Sequence, residues 1–301
     1  MKRLLQYQIT TKDDGMTIKS FLLKQGFSGQ NIIALKKMPE SILLNGKWEY
    51  VNTHISAGDE LRIHIAEEQN NDEIVPRALP FPIVYEDEDL LIINKPSNMP
   101  THPSLNNYEN TLANAALYYF TKQNIPYTFR CINRLDKDTT GLTILAKHMV
   151  SGAILSQMIA GRKIQRTYHA IVSGRLSDKS GTIDAPIGRT SDSLITRCVC
   201  ESGERAITHY HVLKEYDGYS LVSLKLETGR THQIRVHMAH IGHPLIGDYL
   251  YHPDYMDGEN PPIPFNRQAL IAKELRFMHP ITKEPLLFEA PYPQDMKNLL
   301  D

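Results

Sequence analysis

The chain has 301 residues, enough for one large domain or a large one with a small companion, and its 41% hydrophobic and 22% charged residues are those of an ordinary globular protein. Its 33 Lys and Arg against 34 Asp and Glu leave a net charge of −1, which argues mildly against a nucleic-acid binder, although a local positive stripe suffices for phosphate contact. No apolar run approaches a membrane span, the N-terminal MKRLLQYQITTKDDG lacks the apolar core of a signal peptide, and Cys131, Cys198 and Cys200 form no CxxC pair, which points to a reducing cytoplasm.

In chain order, residues 12–67 read as a small α/β unit. MTIKSFLLKQG and QNIIALKKM have helical spacing, SILLNGKWEYVN contains the two-residue hairpin signal Asn45-Gly46, and DELRIHI alternates as a strand. Residues 68–81, within EEQNNDEIVPRALPFP, are rich in acid, amide and proline and read as an exposed linker. From 82 to 301 strands dominate. IVYEDEDLLIINKP predicts two short strands around an acidic turn, and TLANAALYYFTKQ and MVSGAILSQMIAG predict helices. RTYHAIVSG, AITHYHVLKEY, YSLVSLKLETG and PLLFEAPYP predict half-buried strands. Strands often follow one another without a helix between them, so the predicted class is α+β, with a mixed, largely antiparallel sheet.

Two runs stand out. INRLDKDTTG (132–141) places Asp136 on a loop between extended FRCI and strand-like LTILA, closing in a Thr-Thr-Gly turn. An Asx-turn through Asp136 or Asp138 accounts for the same run equally well. In LETGRTHQIRVHMAH (226–240) a strand ends at Thr228-Gly229 and a helix starts at Thr231 as N-cap. Its first turns present His232, Gln233 and Arg235, which suits an anion or polar ligand; a solvated basic face is the plainer alternative. Ile234, Met238 and Ile241 are expected to pack inward. His232, His237, His240 and His243 are the densest histidine set, but no Cys or Glu stands at a matching position and no HExxH occurs, so no metal ligand is assigned. Tyr168 alternates with Ala170 and Val172 toward the core, and Lys95, before Pro96, falls where a strand leaves the sheet, a rim position.

Taken in order, YEDEDLLIINKPSNMPTHPS, INRLDKDTTGLTILAK, RKIQRTYHAIVSG, LKLETGRTHQIRVHMAHIGHPLIGDYLY and ALIAKELRFMHP resemble the motifs of the RluA/RluD class of pseudouridine synthases. Residues 12–67 more loosely resemble the small S4-like RNA-binding module of ribosomal-protein and tRNA-synthetase type. The resemblance implies a catalytic domain over 82–301 that isomerises a uridine in structured RNA, ribosomal or transfer. It implies that Asp136 is the essential carboxylate, as nucleophile or as base toward a glycal, with Arg235 as its ion-pair partner. Tyr168 would stack on the base and help remove the proton from carbon 5. Arg230 would contact phosphate or base, with His232, Gln233 and Lys95 as further substrate contacts. Arg134 would fill the gap left by the flipped-out uridine. Asn133 stands where the class usually has histidine, and Thr140 where it usually has serine; both are counted among the substrate contacts. No step moves electrons, so no cofactor or metal is expected, nor a membrane or an obligate protein partner. Lys19, Lys24, Lys36, Lys37 and Lys47 are the expected RNA contacts of the first unit. Two other classes compete: a catalytically silent RNA-binding protein on the same fold, and a metal-dependent hydrolase built on the histidines.

Overall fold

In the computed structural model, which describes residues 1–67, 73–105, 107–191, 193, 195–256, 261 and 263–301, the chain opens with a strand that its sequence barely announces. This is β1 (Lys2–Gln8), in which only Leu5 is buried. α1 (Ile18–Lys24) starts at Thr17, whose hydroxyl accepts from the Ser20 N–H. α2 (Gly29–Lys37) starts at Ser28 in a reciprocal capping box with Asn31. β2 (Ile42–Leu44) and β3 (Lys47–Trp48) are joined by Asn45 and Gly46, at φ 51° and 78°, as a two-residue primed turn requires. β4 (Glu60–Ala66) completes a sheet of order β1-β4-β2-β3, and Phe21, Leu22 and Leu35 of the helices pack on its Leu5, Leu61 and Ile63. The sheet reaches back beyond residue 12, because β1 pairs with β4 from Lys2↔Ala66 to Gln8↔Glu60.

β5 (Ile83–Glu86) and β6 (Leu90–Lys95) form the expected pair around the acidic turn, and α3 (Leu112–Thr121) follows from its own capping box at Thr111. Of the expected linker, 68–72 lie outside the described residues. Residues 73–81 run against α3, with Ile74, Leu79 and Phe81 packed on its core and Val75 O accepting from Asn114 Nδ2 at 2.7 Å. β7 (Thr140–Ala146), α4 (Met149–Ala160), β8 (Gln165–Ser173) and β9 (Ser180–Asp184) follow. A separate hairpin, β10 (Ile187–Arg189) with β11 (Arg197–Val199), precedes β12 (Ile207–Glu215) and β13 (Tyr219–Leu226). α5 (Gln233–His240), the short α6 (Pro253–Met256), β14 (Leu270–Met278), β15 (Pro285–Glu289) and α7 (Gln294–Leu300) end the chain.

The large sheet runs β5-β6-β7-β14-β8-β13-β12-β9, with β15 also on β14. Its class is the one expected: α+β, and antiparallel except where β7 lies parallel to β14 through Ile271↔Thr140 and Ala272↔Gly141. β6 and β7 carry the apolar runs Leu90–Ile93 and Ile144–Ala146 because both their faces are covered, one by α3 and the other by the core of β14, α4 and α7. The first unit is not free of this body. Val150 and Ile154 of α4 belong to its core, Asn31 Nδ2 donates to Met149 O, and Arg3 makes a two-bond ion pair (2.8 and 3.1 Å) with Asp89. No helix among the described residues is long and apolar enough to cross a membrane.

Candidate active site

β7 enters the middle of the sheet at Thr140, so the preceding residues form a loop over the start of β14. The turn is at Lys137–Asp138, closed by Thr139 N–H to Asp136 O at 3.2 Å. The Thr-Thr-Gly segment expected to be a turn is instead the entry of the strand. Gly141 has φ 110°, and a Cβ there would lie 2.3 Å from Ala272 O, so the contact between β7 and β14 admits no side chain at this point. The Asx alternative is not realised among the contacts seen: Asp138 accepts from Asn98 N–H at 3.1 Å and from the Tyr249 hydroxyl at 3.4 Å.

Asp136 is left facing an open cleft, its side chain 29% exposed. The walls are Leu135, Leu226, Ile234, Leu270 and the ring of Tyr168; the polar rim is Arg134, Thr139, Arg230 and His232. Flat apolar walls with a few convergent polar groups suit a planar heterocycle that carries a polar edge. Arg235 Nη1 stands 3.5 Å from Asp136 Oδ2, the pairing expected from sequence. Its stronger partner is Asp248, which sequence reasoning missed. Asp248 is fully buried and grips Arg235 in a fork, Nε to Oδ2 and Nη2 to Oδ1, both at 2.7 Å. Tyr251 lies against the guanidinium, with 5.0 Å to its ring centroid. Burial works against the Arg235 charge, but the bonds and charge of Asp248, and then Asp136, outweigh it and hold its pKa above the ordinary value.

His232 Nε2 is 4.0 Å from Asp136 Oδ2, and its Nδ1 meets the Tyr251 hydroxyl at 2.7 Å. Burial pulls its pKa down, against the opposing influence of Asp136, and so favours the neutral ring. Burial also pushes the Tyr168 phenol up, Arg166 opposing and Asp136 adding to the shift. A phenol shifted this way keeps its proton, so Tyr168 can donate a hydrogen bond and accepts a proton only after releasing its own.

Three expected substrate contacts are elsewhere, and a fourth is already engaged. Asn133 is 2% exposed and clamps β7, its Nδ2 donating to Leu142 O at 2.9 Å and its Oδ1 accepting from Ile144 N–H at 2.8 Å. Thr140 is buried in the sheet, its hydroxyl 3.4 Å from Leu270 O. Lys95 is not on a rim: it is fully buried, and its Nζ donates to the carbonyls of Pro96, Met99 and Lys137 at 2.8, 2.9 and 3.0 Å. Gln233 borders the cleft, but its amide ties down the preceding loop, accepting from Thr228 Oγ1 and Arg230 N–H and donating to Ile207 O. That loop, and not Thr231, fixes the start of α5; the N-cap is His232 in the left-handed region at φ 57°, with no side-chain cap. The helix face is not a solvated basic one, since Arg235 is buried with Ile234 and Met238. Arg230 leans on Glu204 and the Arg205 carbonyl, while Arg134 is exposed at the mouth and no ion-pair partner is seen for it among the described residues.

The histidines do not converge. His237 uses both ring nitrogens, on Thr208 Oγ1 and Ala185 O at 2.9 Å each, and His243 turns to Ser173 O. Among the described residues, the grouping that could hold a metal is Asp87, Asp89 and His279, away from the cleft, and these bond to one another, to His148 and to Arg3.

Comparison with known proteins places the chain in a family. Over 285 residues the chain is 39% identical to the uncharacterized RNA pseudouridine synthase YjbO of Bacillus subtilis, covering 95% of this chain and 98% of that one. It is 38% identical over 279 residues to ribosomal large subunit pseudouridine synthase D of Escherichia coli, covering 88% and 83% respectively. The solved structure of human RNA pseudouridylate synthase domain containing 1 superposes with a TM-score of 0.58 at 28% identity, over 74% of this chain and 94% of that one. Residues 89–240, which carry Asp136, Tyr168, Arg230 and Arg235, match the family model for RNA pseudouridylate synthase, and the chain belongs to that family.

Proposed function

We infer that the protein converts uridine to pseudouridine in RNA with Asp136 as its essential group. One observation carries the reading: a single accessible carboxylate faces an apolar, tyrosine-walled cleft and is met by an arginine that a second, buried carboxylate holds in place. The reaction breaks the bond from ribose C1′ to base N1, turns the base and joins C1′ to C5, with the C5 proton lost and N1 protonated, so that the product is an isomer. Asp136 either attacks C1′ or removes a ribose proton to give a glycal; both roles require an ionised carboxylate with one open face. Arg235 neutralises charge beside it without competing for that face, because its fork is occupied by Asp248. Tyr168 stacks on the base. Arg134 occupies the position that the flipped nucleotide vacates, which supports RNA with local structure as substrate.

The relative from Escherichia coli is named for the large ribosomal subunit, which makes large-subunit ribosomal RNA the first substrate to test. The N-terminal unit acts as an S4-like RNA-binding module, its Lys19, Lys24, Lys36, Lys37 and Lys47 all exposed. A chain with three cysteines and no CxxC pair supports work in the cytoplasm. Mapping pseudouridine in cellular RNA with and without the protein tests the function. At least one site is expected to vanish on deletion, to return with the wild-type chain, and to stay absent with Asp136→Asn. A map that does not change on deletion refutes it.

A further inference from the structure

The catalytic loop has a support that comes from the far end of the chain. Arg267, just before β14, is 6% exposed, and its guanidinium serves two sides. Nε and Nη2 pair with Asp295 Oδ2 and Oδ1 at 2.7 and 2.9 Å, Asp295 being in the first turn of α7. Nη1 reaches Asp138 O at 3.3 Å, two residues beyond Asp136, as well as Gln268 O at 3.1 Å and Leu270 O at 3.5 Å. The neighbouring Gln268 donates from Nε2 to Thr139 Oγ1 at 3.1 Å. The same segment touches the turn before Asp248, Ala269 N–H bonding to Ile246 O at 2.9 Å. Asp295 is itself fixed: the Met296 N–H donates to its Oδ1 at 2.8 Å, and Met296 is fully buried, which anchors α7 in the core.

We propose that Arg267 and Asp295 are positioning residues for Asp136: the carboxylate of the C-terminal helix grips Nε and Nη2 of the Arg267 guanidinium, and Nη1 of the same plane holds the Asp138 carbonyl and so the turn that carries Asp136. Neither residue borders the cleft, so neither is catalytic. A planar guanidinium satisfied on two sides transmits position, because turning it to keep one set of bonds breaks the other. A carboxylate displaced by about 1 Å costs on the order of a hundredfold in rate, so partial loosening of the turn is visible in turnover. The assignment rests on the reading above for what Asp136 does.

Asp295→Asn keeps the shape and removes the charge, and the side chain is 43% exposed, so the fold survives the change. On a transcript of large-subunit ribosomal RNA, the single-turnover rate of pseudouridine formation is expected to fall about tenfold, with RNA affinity within about twofold of wild type. Amide hydrogen exchange at 137–140 should quicken, with the thermal midpoint nearly unchanged. Arg267→Lys, which loses the fork, should shift rate and exchange the same way and further. Glu289→Gln, which removes an exposed C-terminal carboxylate paired with Lys273, should change neither. An unchanged rate in Asp295→Asn, or a rate that falls only in step with affinity or thermal midpoint, overturns the proposal. Exchange needs no substrate: if the wild-type chain forms no pseudouridine on this RNA, faster exchange at 137–140 still upholds the link while the choice of substrate fails, and unchanged exchange sinks the link by itself.

Discussion

Asp136 takes its setting from residues far along the chain. Arg235 approaches it from α5, and Asp248, from the loop beyond, keeps Arg235 from closing on it. Removing that restraint leaves a buried guanidinium short of its partner, and breaking a buried pair costs several kcal/mol. Asp248→Asn is therefore expected to lower unfolding stability by about 3 kcal/mol in urea titrations and to slow turnover with it. A loss below about 1 kcal/mol, typical of an exposed pair, would contradict this account. Arg134 is the opposite case, exposed and with no ion-pair partner seen among the described residues, so its contribution appears only when RNA is bound. Arg134→Ala should slow turnover on a folded RNA more than on an unstructured strand carrying the same uridine, because only the former has a stack to hold open. Equal losses on the two would remove it from base flipping.

At the scale of elements, the segment that joins β6 to the catalytic turn hangs on Lys95. Burial pulls its pKa down to about 7, while the charges of Asp138 and Asp136 pull the other way. An unfolded lysine titrates near about 10.4, so between roughly pH 7 and pH 10 the unfolded chain binds the extra proton and stability rises with pH. Below that window both states are protonated, and the cost of burying the charge is felt in full. The stability of wild type relative to Lys95→Met should thus climb by up to about 1.4 kcal/mol per pH unit across the window. A flat difference in urea unfolding from pH 6 to 10 would show that Lys95 is no such buried cation. None of this was legible in the sequence, where Lys95 before Pro96 reads as a rim residue: spacing does not reveal that the chain folds back so that carbonyls at 96, 99 and 137 converge on one nitrogen. The same limit hid Asp248 and misread Asn133, whose amide substitutes for strand pairing. Alternation did indicate Tyr168, β8, β12 and β13, since one covered face imprints period two. It failed for β1, with one buried residue, and for β10 and β11, which at three residues each are too short to carry a period.

At the scale of the molecule, the first unit is bolted to the catalytic body. Deleting it would bare Val150 and Ile154 and strip Asp89 of Arg3, so deletion confounds folding with RNA binding. Substitution is the cleaner probe. Changing Lys36, Lys37 and Lys47 to glutamine should reduce the slope of log affinity against log salt by about 2 to 3, since each lysine that no longer meets a phosphate leaves roughly one counterion unreleased. An unchanged slope would place the RNA elsewhere.

The place of β14 between β7 and β8 also bears on how the protein is made. Both flanking strands leave the ribosome well before the strand that pairs them, since β8 ends at Ser173 and β14 starts at Leu270. At 5–20 residues per second the nascent chain waits roughly 5 to 20 s with two apolar strand edges unpaired. Until β14 is added, the backbone that Gly141 presses against is missing, so the chain has neither a seated Asp136 nor a completed sheet, and its open strand edges are exposed to aggregation.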